Sequence, residues 1–268
     1  MICYKGILWA FMAVLFTGWF VTYDAGQFSE KPSKHSCNWT CMLLTLQWPG
    51  SFCISLNKPN ICKIPQTVQN WTIHGLWPQR TGHCCDCWPI FHSHLQDIEP
   101  ELSQLWPSLV KAKSYFIFWK EEWIKHGTCA GCEETMGSPF HYFQTAIKLR
   151  KLYDIDSVLK TSGITTSCDV SYKYDDISSV LEPLFGRNYD LQCVTDDKGR
   201  QAWVQLKINL FRNQTLGCHK QEQKQCFNTT VWLQSPGHPC PKNESIFYFP
   251  INYEQPHEPC NSSHFRKA

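Results

Sequence analysis

Two histidines are the residues of this sequence best suited to chemistry, because each is followed by glycine and has tryptophan close by. His74 lies within Trp71-Thr-Ile-His-Gly-Leu-Trp-Pro78, and His126 lies within Glu122-Trp-Ile-Lys-His-Gly-Thr-Cys129. An imidazole titrates near neutral pH, so a pair can accept one proton and donate another in a single reaction. The two segments together predict acid–base chemistry, although either one alone is more typical of a structural strand or helix.

The second histidine belongs to a predicted helix that begins near Ser114 and ends at Gly127. Its apolar stripe, at the i, i+3, i+7 spacing of one helix face, consists of Phe116, Trp119 and Trp123. Beside the stripe, Glu122 and His126 lie four residues apart and share a face, with Lys125 on the same flank. A carboxylate, a cation and an imidazole grouped in this way can transfer a proton and hold an anionic transition state.

The first histidine lies near the end of a predicted strand, 71–77, which Pro78 terminates. Strict alternation would send His74 and Trp77 to opposite faces. Gly75 allows the strand to break its pleat between them, so both side chains can reach one cleft.

The remaining segments favour an α+β fold with an antiparallel β-sheet core and several helices. Strand patterns cover 42–48, 191–195, 202–211, 231–234 and 246–249, and helical patterns cover 95–109, 140–153 and 175–185 and begin at 157–159. No linker or repeat divides residues 26–268, which are predicted to form a single domain.

Residues 1–25 have the pattern of a signal peptide that is removed on export, with Lys5 as the positive start and an apolar run over 7–21. Cleavage is expected between Thr22 and Gln27, and an uncleaved signal anchor is the alternative. Export predicts a secreted protein or one of the lysosomal or endosomal lumen. Sequons for N-glycans fit the same route and lie at Asn38, Asn70, Asn213, Asn228, Asn243 and Asn261.

Export also decides how the 16 cysteines are interpreted. Removal of Cys3 with the signal leaves an odd number, so one thiol stays free, forms a mixed disulfide or makes an intermolecular disulfide. Two clusters contain zinc-ligand types: His83-Cys84-Cys85-Asp86-Cys87, and His126 with Cys129 and Cys132. Zinc requires reduced thiolates, so disulfides are favoured and zinc is the alternative.

The formal net charge of +2 is too small for a broad basic surface that holds duplex nucleic acid. Any polyanionic substrate would therefore be held locally. The 12 tryptophans are enough to supply stacking platforms for bases as well as core packing.

The segments His74-Gly-Leu-Trp-Pro78 and 122–129 resemble the two active-site motifs of the ribonuclease T2 family, in its animal secreted type. Leu46-Gln-Trp-Pro49, followed by Cys53, resembles the first core strand of that family, so the resemblance covers essentially the whole mature chain. It implies a ribonuclease T2-like fold and an endoribonuclease that cleaves single-stranded RNA without a metal or other cofactor. The product would be a 2′,3′-cyclic phosphate, and DNA would be spared because it lacks the 2′-hydroxyl nucleophile.

The resemblance also implies a role for each site residue. His126 resembles the base that takes the 2′-hydroxyl proton and His74 the acid that protonates the leaving 5′-oxygen, which predicts a bell-shaped pH profile on the acidic side of neutral. Lys125 and Glu122 resemble residues that stabilise the phosphorane. The residues that resemble base-binding positions are Trp77 for the base on the 5′ side and Gln47 and Phe118 for the other base.

One position departs from the family pattern. The second motif usually reads His-Glu-Trp, whereas this chain has Glu121-Glu122-Trp123, so a carboxylate replaces an auxiliary phosphate-binding histidine. Glu121 would repel RNA and, at i, i+4 from Lys125, could draw that cation away. A weakened but active nuclease is expected. The alternative is a secreted immunomodulatory or binding protein that keeps the fold with little or no catalysis.

By resemblance, the expected family disulfides are Cys53–Cys62, Cys84–Cys129 and Cys193–Cys240, and Cys218–Cys226 is a further candidate. The cysteines left without an assigned partner are Cys37, Cys41, Cys85, Cys87, Cys132, Cys168 and Cys260. The bridge to Cys129 would tie the cysteine-rich loop to the end of the predicted helix and hold His126 in register.

Overall fold

The computed structural model describes residues 37–56, 61–218 and 237–261. The strands in these ranges are β1 (Cys41–Gln47), β2 (Thr72–Pro78), β3 (Ser171–Tyr172), β4 (Tyr189–Thr195), β5 (Gln201–Phe211), β6 (His238–Pro239) and β7 (Ile246–Phe247). The helices are α1 (Pro49–Phe52), α2 (Glu99–Leu105), α3 (Tyr115–Glu122), α4 (Thr128–Ala130), α5 (Pro139–Leu152), α6 (Ile155–Thr161) and α7 (Tyr174–Phe185). Short 3₁₀ turns cover Cys53–Ser55, His92–His94, Gln96–Ile98 and Glu134–Met136. This combination of a sheet with several helices is the predicted α+β fold.

The described strands form one sheet in the order β2-β1-β5-β4-β6, with β7 paired to both β5 and β3. The long pairings, β1 with β2, β1 with β5 and β4 with β5, are antiparallel as predicted. The short pairing of β5 with β7 is parallel, which the sequence did not predict. Within the described sheet, β2 is an edge strand.

Most predicted elements begin or end within one or two residues of the observed ones. The helix predicted over 95–109 is shorter, because a 3₁₀ turn precedes α2 and the chain leaves helical geometry at Trp106, just before Pro107. The strand pattern at 231–234 lies outside the described residues.

Alternation along β1 and β5 gives the sheet one apolar face and one polar face. On the apolar face, six fully buried residues pack beneath the helices, namely Met42, Leu44, Leu46, Leu206, Ile208 and Leu210. The opposite face carries Thr45, Gln47 and Gln205, and these polar side chains are buried as well. A buried polar cluster on a sheet is unusual enough to mark a candidate functional site.

Side-chain donors hold the edge strand β2 against the helical layer. The indole Nε1 of Trp106 donates to the carbonyl of His74 at 3.0 Å, and the Tyr142 hydroxyl donates to the carbonyl of Leu76 at 2.7 Å. The indole Nε1 of Trp119, on α3, donates in turn to the carbonyl of Trp106 at 2.8 Å. These bonds satisfy carbonyl groups that an edge strand would otherwise present unpaired. They also connect α3 to the backbone at His74.

The described cysteines form disulfides, and three of these confirm the bridges expected from the family resemblance: Cys53–Cys62, Cys84–Cys129 and Cys193–Cys240. The additional bridges are Cys37–Cys132, Cys41–Cys218, Cys85–Cys87 and Cys168–Cys260. Every cysteine of the two candidate zinc clusters is therefore disulfide-bonded. Because zinc binds thiolates, the zinc alternative loses the ligands on which it rested.

The predicted pairing of Cys218 with Cys226 is wrong, because Cys218 is bonded to Cys41. The register of β1 with β5 places Cys41 opposite Phe211, and the chain then turns back so that Leu216 pairs with Leu210. That return brings Cys218 to the start of β1. Sheet register, which the family resemblance did not reveal, decided the partner. Cys226 lies outside the described residues.

The predicted signal peptide, residues 1–25, also lies outside the described residues. Across the ranges that the structure covers, no helix combines the length and apolar character needed to cross a membrane. The sequon asparagines at positions 38, 70, 213, 243 and 261 are exposed, and Asn228 lies outside the described residues. Glycosylation of these residues stays a prediction.

Candidate active site

A β-bulge in β2 brings His74 and Trp77 to the same side of the sheet. Thr45 of β1 pairs with Gly75 and the next residue, Leu46, pairs with Ile73, so β2 carries an extra residue at His74. An extra residue reverses the alternation of the side chains that follow it. The His74 and Trp77 rings consequently lie edge to face with centroids 5.1 Å apart. The break in the pleat predicted at Gly75 is confirmed.

Gly75 also provides the space into which the Trp77 indole folds. A Cβ atom at Gly75 would lie 2.0 Å from Trp77 Nε1 and 2.5 Å from Glu122 Oε2. In the space left by the missing side chain, Trp77 Nε1 donates a hydrogen bond of 2.8 Å to the Glu122 carboxylate. This bond links the strand motif directly to the helix motif.

The helix that carries the second motif continues past the position where it was predicted to end. The helix begins near Ser114 as predicted, and the Ser114 side chain caps α3 by accepting from the Ile117 amide. α3 then runs into a π-helical turn at Trp123–Gly127 and on into α4. Gly127 has a helical φ of −62°, so the prediction that it ends the helix is wrong. A Cβ at Gly127 would lie 2.2 Å from the Trp123 ring, so close packing against this ring explains why the residue is glycine. π-helical turns occur frequently at functional sites, and this one carries Lys125 and His126.

The same indole contacts both imidazoles. The Trp77 ring centroid lies 5.3 Å from that of His126 and 5.1 Å from that of His74. The two histidines of the predicted pair therefore meet at one place, at the edge of β2 and beside the π-helical turn. His126 is 7% exposed, and among the described residues its Nδ1 has no hydrogen-bond partner. His74 remains partly exposed.

Burial and nearby cations determine the charge of the site. Burial lowers the pKa of His74 to about 3, with Lys207 and Lys125 acting in the same direction. Burial likewise lowers the pKa of His126 to about 3, and Lys125, His74 and His83 act in the same direction. The pKa of Glu122 is raised to about 7 by burial, against the opposing effects of its hydrogen bond from Trp77 and of Lys125. Without a ligand, both imidazoles are therefore neutral near neutral pH.

Sequence reasoning missed two polar residues of β5. Gln205 is fully buried, and its Nε2 lies 2.6 Å from His74 Nδ1. Lys207 is close enough to influence the charge of His74 and lies 3.5 Å from Gln192 Oε1. The alternation of polar and apolar residues along β5 could have identified them. The polar residues Gln205, Lys207 and Asn209 are interleaved with Val204, Leu206 and Ile208.

The remaining predicted site residues lie around this centre in different environments. Gln47 is buried at the end of β1, and its Oε1 has no hydrogen-bond partner within the described ranges. Phe118 is partly buried on α3 and packs against the main core. Glu121 is exposed and forms an ion pair with Lys113, a partner that was not predicted from the sequence. The turn before α3 positions Lys113 near Glu121, a contact that helical spacing does not predict.

Comparisons with known proteins identify the class to which this architecture belongs. A model of the Ribonuclease T2 family matches residues 39–231. Ribonuclease T2 of Danio rerio is 32% identical over 220 residues, which cover 80% of this chain and 88% of that protein. Human Ribonuclease T2 is 29% identical over 210 residues, which cover 76% of this chain and 80% of that protein.

Solved structures agree with the sequence matches. The crystal structure of human RNase T2 has a TM-score of 0.63 at 28% identity, and the match covers 79% of this chain and 99% of that chain. RNase NT, solved in complex with 5′-AMP, has a TM-score of 0.64 at 24% identity, covers 80% of this chain and 99% of that chain, and supports the fold alone. The matched proteins are ribonucleases. This chain belongs to the ribonuclease T2 family, which confirms the family and the enzyme class predicted from its two motifs.

The space at Gly75 predicts the effect of filling it. We expect Gly75→Ala to displace the Trp77 indole from Glu122 and to destabilise the fold by about 1–3 kcal/mol through overpacking. The indole N–H resonance of Trp77 and thermal unfolding measure the two effects. Gly82→Ala is the matched control, because a Cβ there would meet only the Lys125 carbonyl at an ordinary 3.5 Å. An unshifted indole resonance in Gly75→Ala would contradict this account.

The raised pKa of Glu122 predicts how stability depends on pH. The folded protein binds the carboxyl proton of Glu122 more tightly than the unfolded chain does, so this proton stabilises the fold. Its contribution to the free energy of unfolding is complete below pH 4.5 and is lost as the pH rises through 7. Glu122→Gln removes the buried charge, so its free energy of unfolding relative to the native chain should rise by about 3 kcal/mol between pH 4.5 and 8. Denaturant unfolding at the two pH values measures this difference. Glu101→Gln, at an exposed position, is the control, and an equal effect of Glu122→Gln at both pH values would refute the assignment.

Proposed function

We propose that this protein is a secreted, metal-independent endoribonuclease that cleaves single-stranded RNA by transphosphorylation to 2′,3′-cyclic phosphate products. The observation that carries the proposal is the contact of one indole, Trp77, with both imidazoles. Two neutral bases at one place, with a cation and a carboxyl group beside them, have the composition needed to move two protons around an anionic phosphate.

In the proposed reaction, His126 accepts the proton of the ribose 2′-hydroxyl as its oxygen attacks the adjacent phosphorus. His74, in its protonated form, donates a proton to the leaving 5′-oxygen as the bond from phosphorus to that oxygen breaks. The two histidines must therefore start in opposite protonation states, and the pH profile reports the pair rather than either residue.

Because both imidazoles are neutral without a ligand, the proposal requires bound RNA to bring His74 into its protonated form. Burial keeps both imidazoles neutral, but a bound phosphate anion offsets that burial and favours the imidazolium form of His74. Lys125 balances the charge that develops on the phosphorane. Glu122, whose pKa is about 7, becomes protonated as the pH falls and can then donate a hydrogen bond to a phosphoryl oxygen. These effects favour an optimum on the acidic side of neutral.

The residues around the centre supply the surfaces for bases. Trp77 is partly exposed and offers its indole to the base on the 5′ side of the cut. Gln47, on the polar face of the sheet, and Phe118 are proposed to contact the other base. Among the described residues the Oε1 of Gln47 has no hydrogen-bond partner, so it can accept from a base. Base edges are recognised in single strands because their hydrogen-bonding groups are unpaired there.

Delivery through the secretory pathway, to the outside of the cell or to the lysosomal or endosomal lumen, belongs to the same proposal. It is supported by the disulfides and by the exposed positions of the sequon asparagines that the structure describes. N-glycans on some of these asparagines are expected.

A binding or immunomodulatory protein with little catalysis is the second candidate. Two observations favour it: the exposed carboxylate of Glu121 beside the site, and the low exposure of His126 beneath Trp77. A comparison of the biological effect of the native chain with that of His74→Phe separates the two candidates.

Substitution of the acid tests the proposed chemistry. We expect His74→Phe to lower the rate of cyclic-phosphate formation by about 10²–10⁴-fold, because the leaving oxygen loses its proton donor. Product analysis with single-stranded RNA at several pH values measures the rate, and His141→Phe, at an exposed histidine of α5, is the control. If the native chain yields no more cyclic phosphate than His74→Phe, the endoribonuclease proposal fails.

Substitution of Glu121 tests the expected weakening. Glu121→His should raise the rate, because it removes a carboxylate that repels phosphate and provides an imidazole that can bind it. Glu121→Gln removes the charge alone and should lie between Glu121→His and the native chain. Initial rates at low ionic strength measure the order, because screening is weakest there. Equal rates in all three proteins would show that Glu121 does not limit the activity.

A further inference from the structure

A buried glutamine reaches His74 across the central strand of the site. β1 lies between β5 and β2, yet Gln205 Nε2 of β5 lies 2.6 Å from His74 Nδ1 of β2. Neighbouring strands are about 4.8 Å apart, so only a long side chain can span this gap. Gln205 is fully buried and lies directly opposite Gln47 of β1. The contact is therefore built into the register of the sheet.

The contact leaves one nitrogen of His74 available for substrate. An amide N–H that donates to Nδ1 requires the neutral imidazole to carry its proton on Nε2. With Nδ1 occupied by Gln205, Nε2 is the nitrogen that can meet a ligand. A primary amide can also turn to present Oε1, which accepts a hydrogen bond from a protonated Nδ1.

We propose that Gln205 is the positioning residue for His74, holding Nδ1 through its amide in both protonation states so that Nε2 faces the RNA. This inference rests on the proposed ribonuclease function. In the resting neutral state the ring proton is on Nε2 and the amide N–H donates to Nδ1, whereas in the imidazolium state the amide Oε1 accepts from Nδ1–H. The Nε2 proton of the imidazolium then passes to the leaving 5′-oxygen, while Nδ1 keeps its proton and its bond to Gln205. His126 then releases to solvent the proton that it took from the 2′-hydroxyl, and solvent returns a proton to Nε2 of His74.

Three substitutions test the proposal because they change the amide in different ways. Gln205→Glu keeps the reach and adds an acceptor with negative charge, which should raise the pKa of His74 by about one unit or more. Gln205→Asn keeps the amide but shortens the side chain, and Gln205→Met keeps the length of the side chain but removes the amide. Both should lower kcat roughly ten- to a hundredfold with little change in KM, because the imidazole loses its orientation.

The principal measurement is NMR titration of the His74 ring in the protein without RNA, so that it does not depend on ribonuclease activity. Gln201→Glu and Gln201→Met are matched controls, because Gln201 is a buried glutamine on the same strand that bonds Thr195 instead. Thermal unfolding identifies variants that do not fold.

The outcomes separate this inference from the proposed function. A raised pKa of His74 in Gln205→Glu, absent in Gln201→Glu, supports the inference even if the native chain cleaves no RNA. An unchanged His74 pKa in folded Gln205→Glu overturns the inference even if the native chain is an active ribonuclease. A kcat for Gln205→Asn and Gln205→Met equal to that of the native chain would also overturn it.

Discussion

The site depends on a single extra residue in strand β2. Without the bulge at His74, the alternation of the strand would place this imidazole and the Trp77 indole on opposite faces of the sheet. With the bulge, the indole folds back over Gly75, bonds Glu122 and touches both histidines. An insertion that costs one regular backbone pairing thus brings the strand motif and the helix motif into contact.

Tryptophans keep that arrangement in place from outside the sheet. Trp119 of α3 donates to the backbone of Trp106, and Trp106 donates to the backbone of His74. Each buried indole N–H finds an acceptor, which a buried tryptophan requires, and each of these bonds also positions a neighbouring element. Cys84–Cys129 ties the cysteine-rich loop to α4, immediately after the π-helical turn that carries His126. The aromatic core and the disulfides thus restrain the same short segment.

Burial gives the site a charge balance that differs from that of the isolated residues. It lowers the pKa of both histidines to about 3 and raises that of Glu122 to about 7, so the centre is close to neutral apart from its lysines. An anionic ligand between neutral bases and lysine side chains gains favourable interactions that water cannot offer at the same place. Local attraction of this kind suits a chain whose net charge is only +2.

The residues of the two motifs could be predicted because their types and spacing require only local rules. Helical spacing put Glu122 and His126 on one face, and glycine next to His74 allowed the break in the strand. Gly127 was misjudged because glycine often ends a helix, whereas here it makes room for the Trp123 ring. The partner of Cys218 was misjudged because the return of the chain after β5 follows from sheet register rather than from distance in sequence.

The sequence alone determined the family and the α+β class and singled out the two histidine motifs, because these depend on motifs and on periodicity within single elements. The tertiary structure alone decided that Gln205 reaches His74 and that Glu121 pairs with Lys113. It also decided how far burial shifts the pKa of each buried group. Those features depend on which strands are neighbours and on how much protein surrounds each group. Both are properties of the assembled chain that no local pattern encodes.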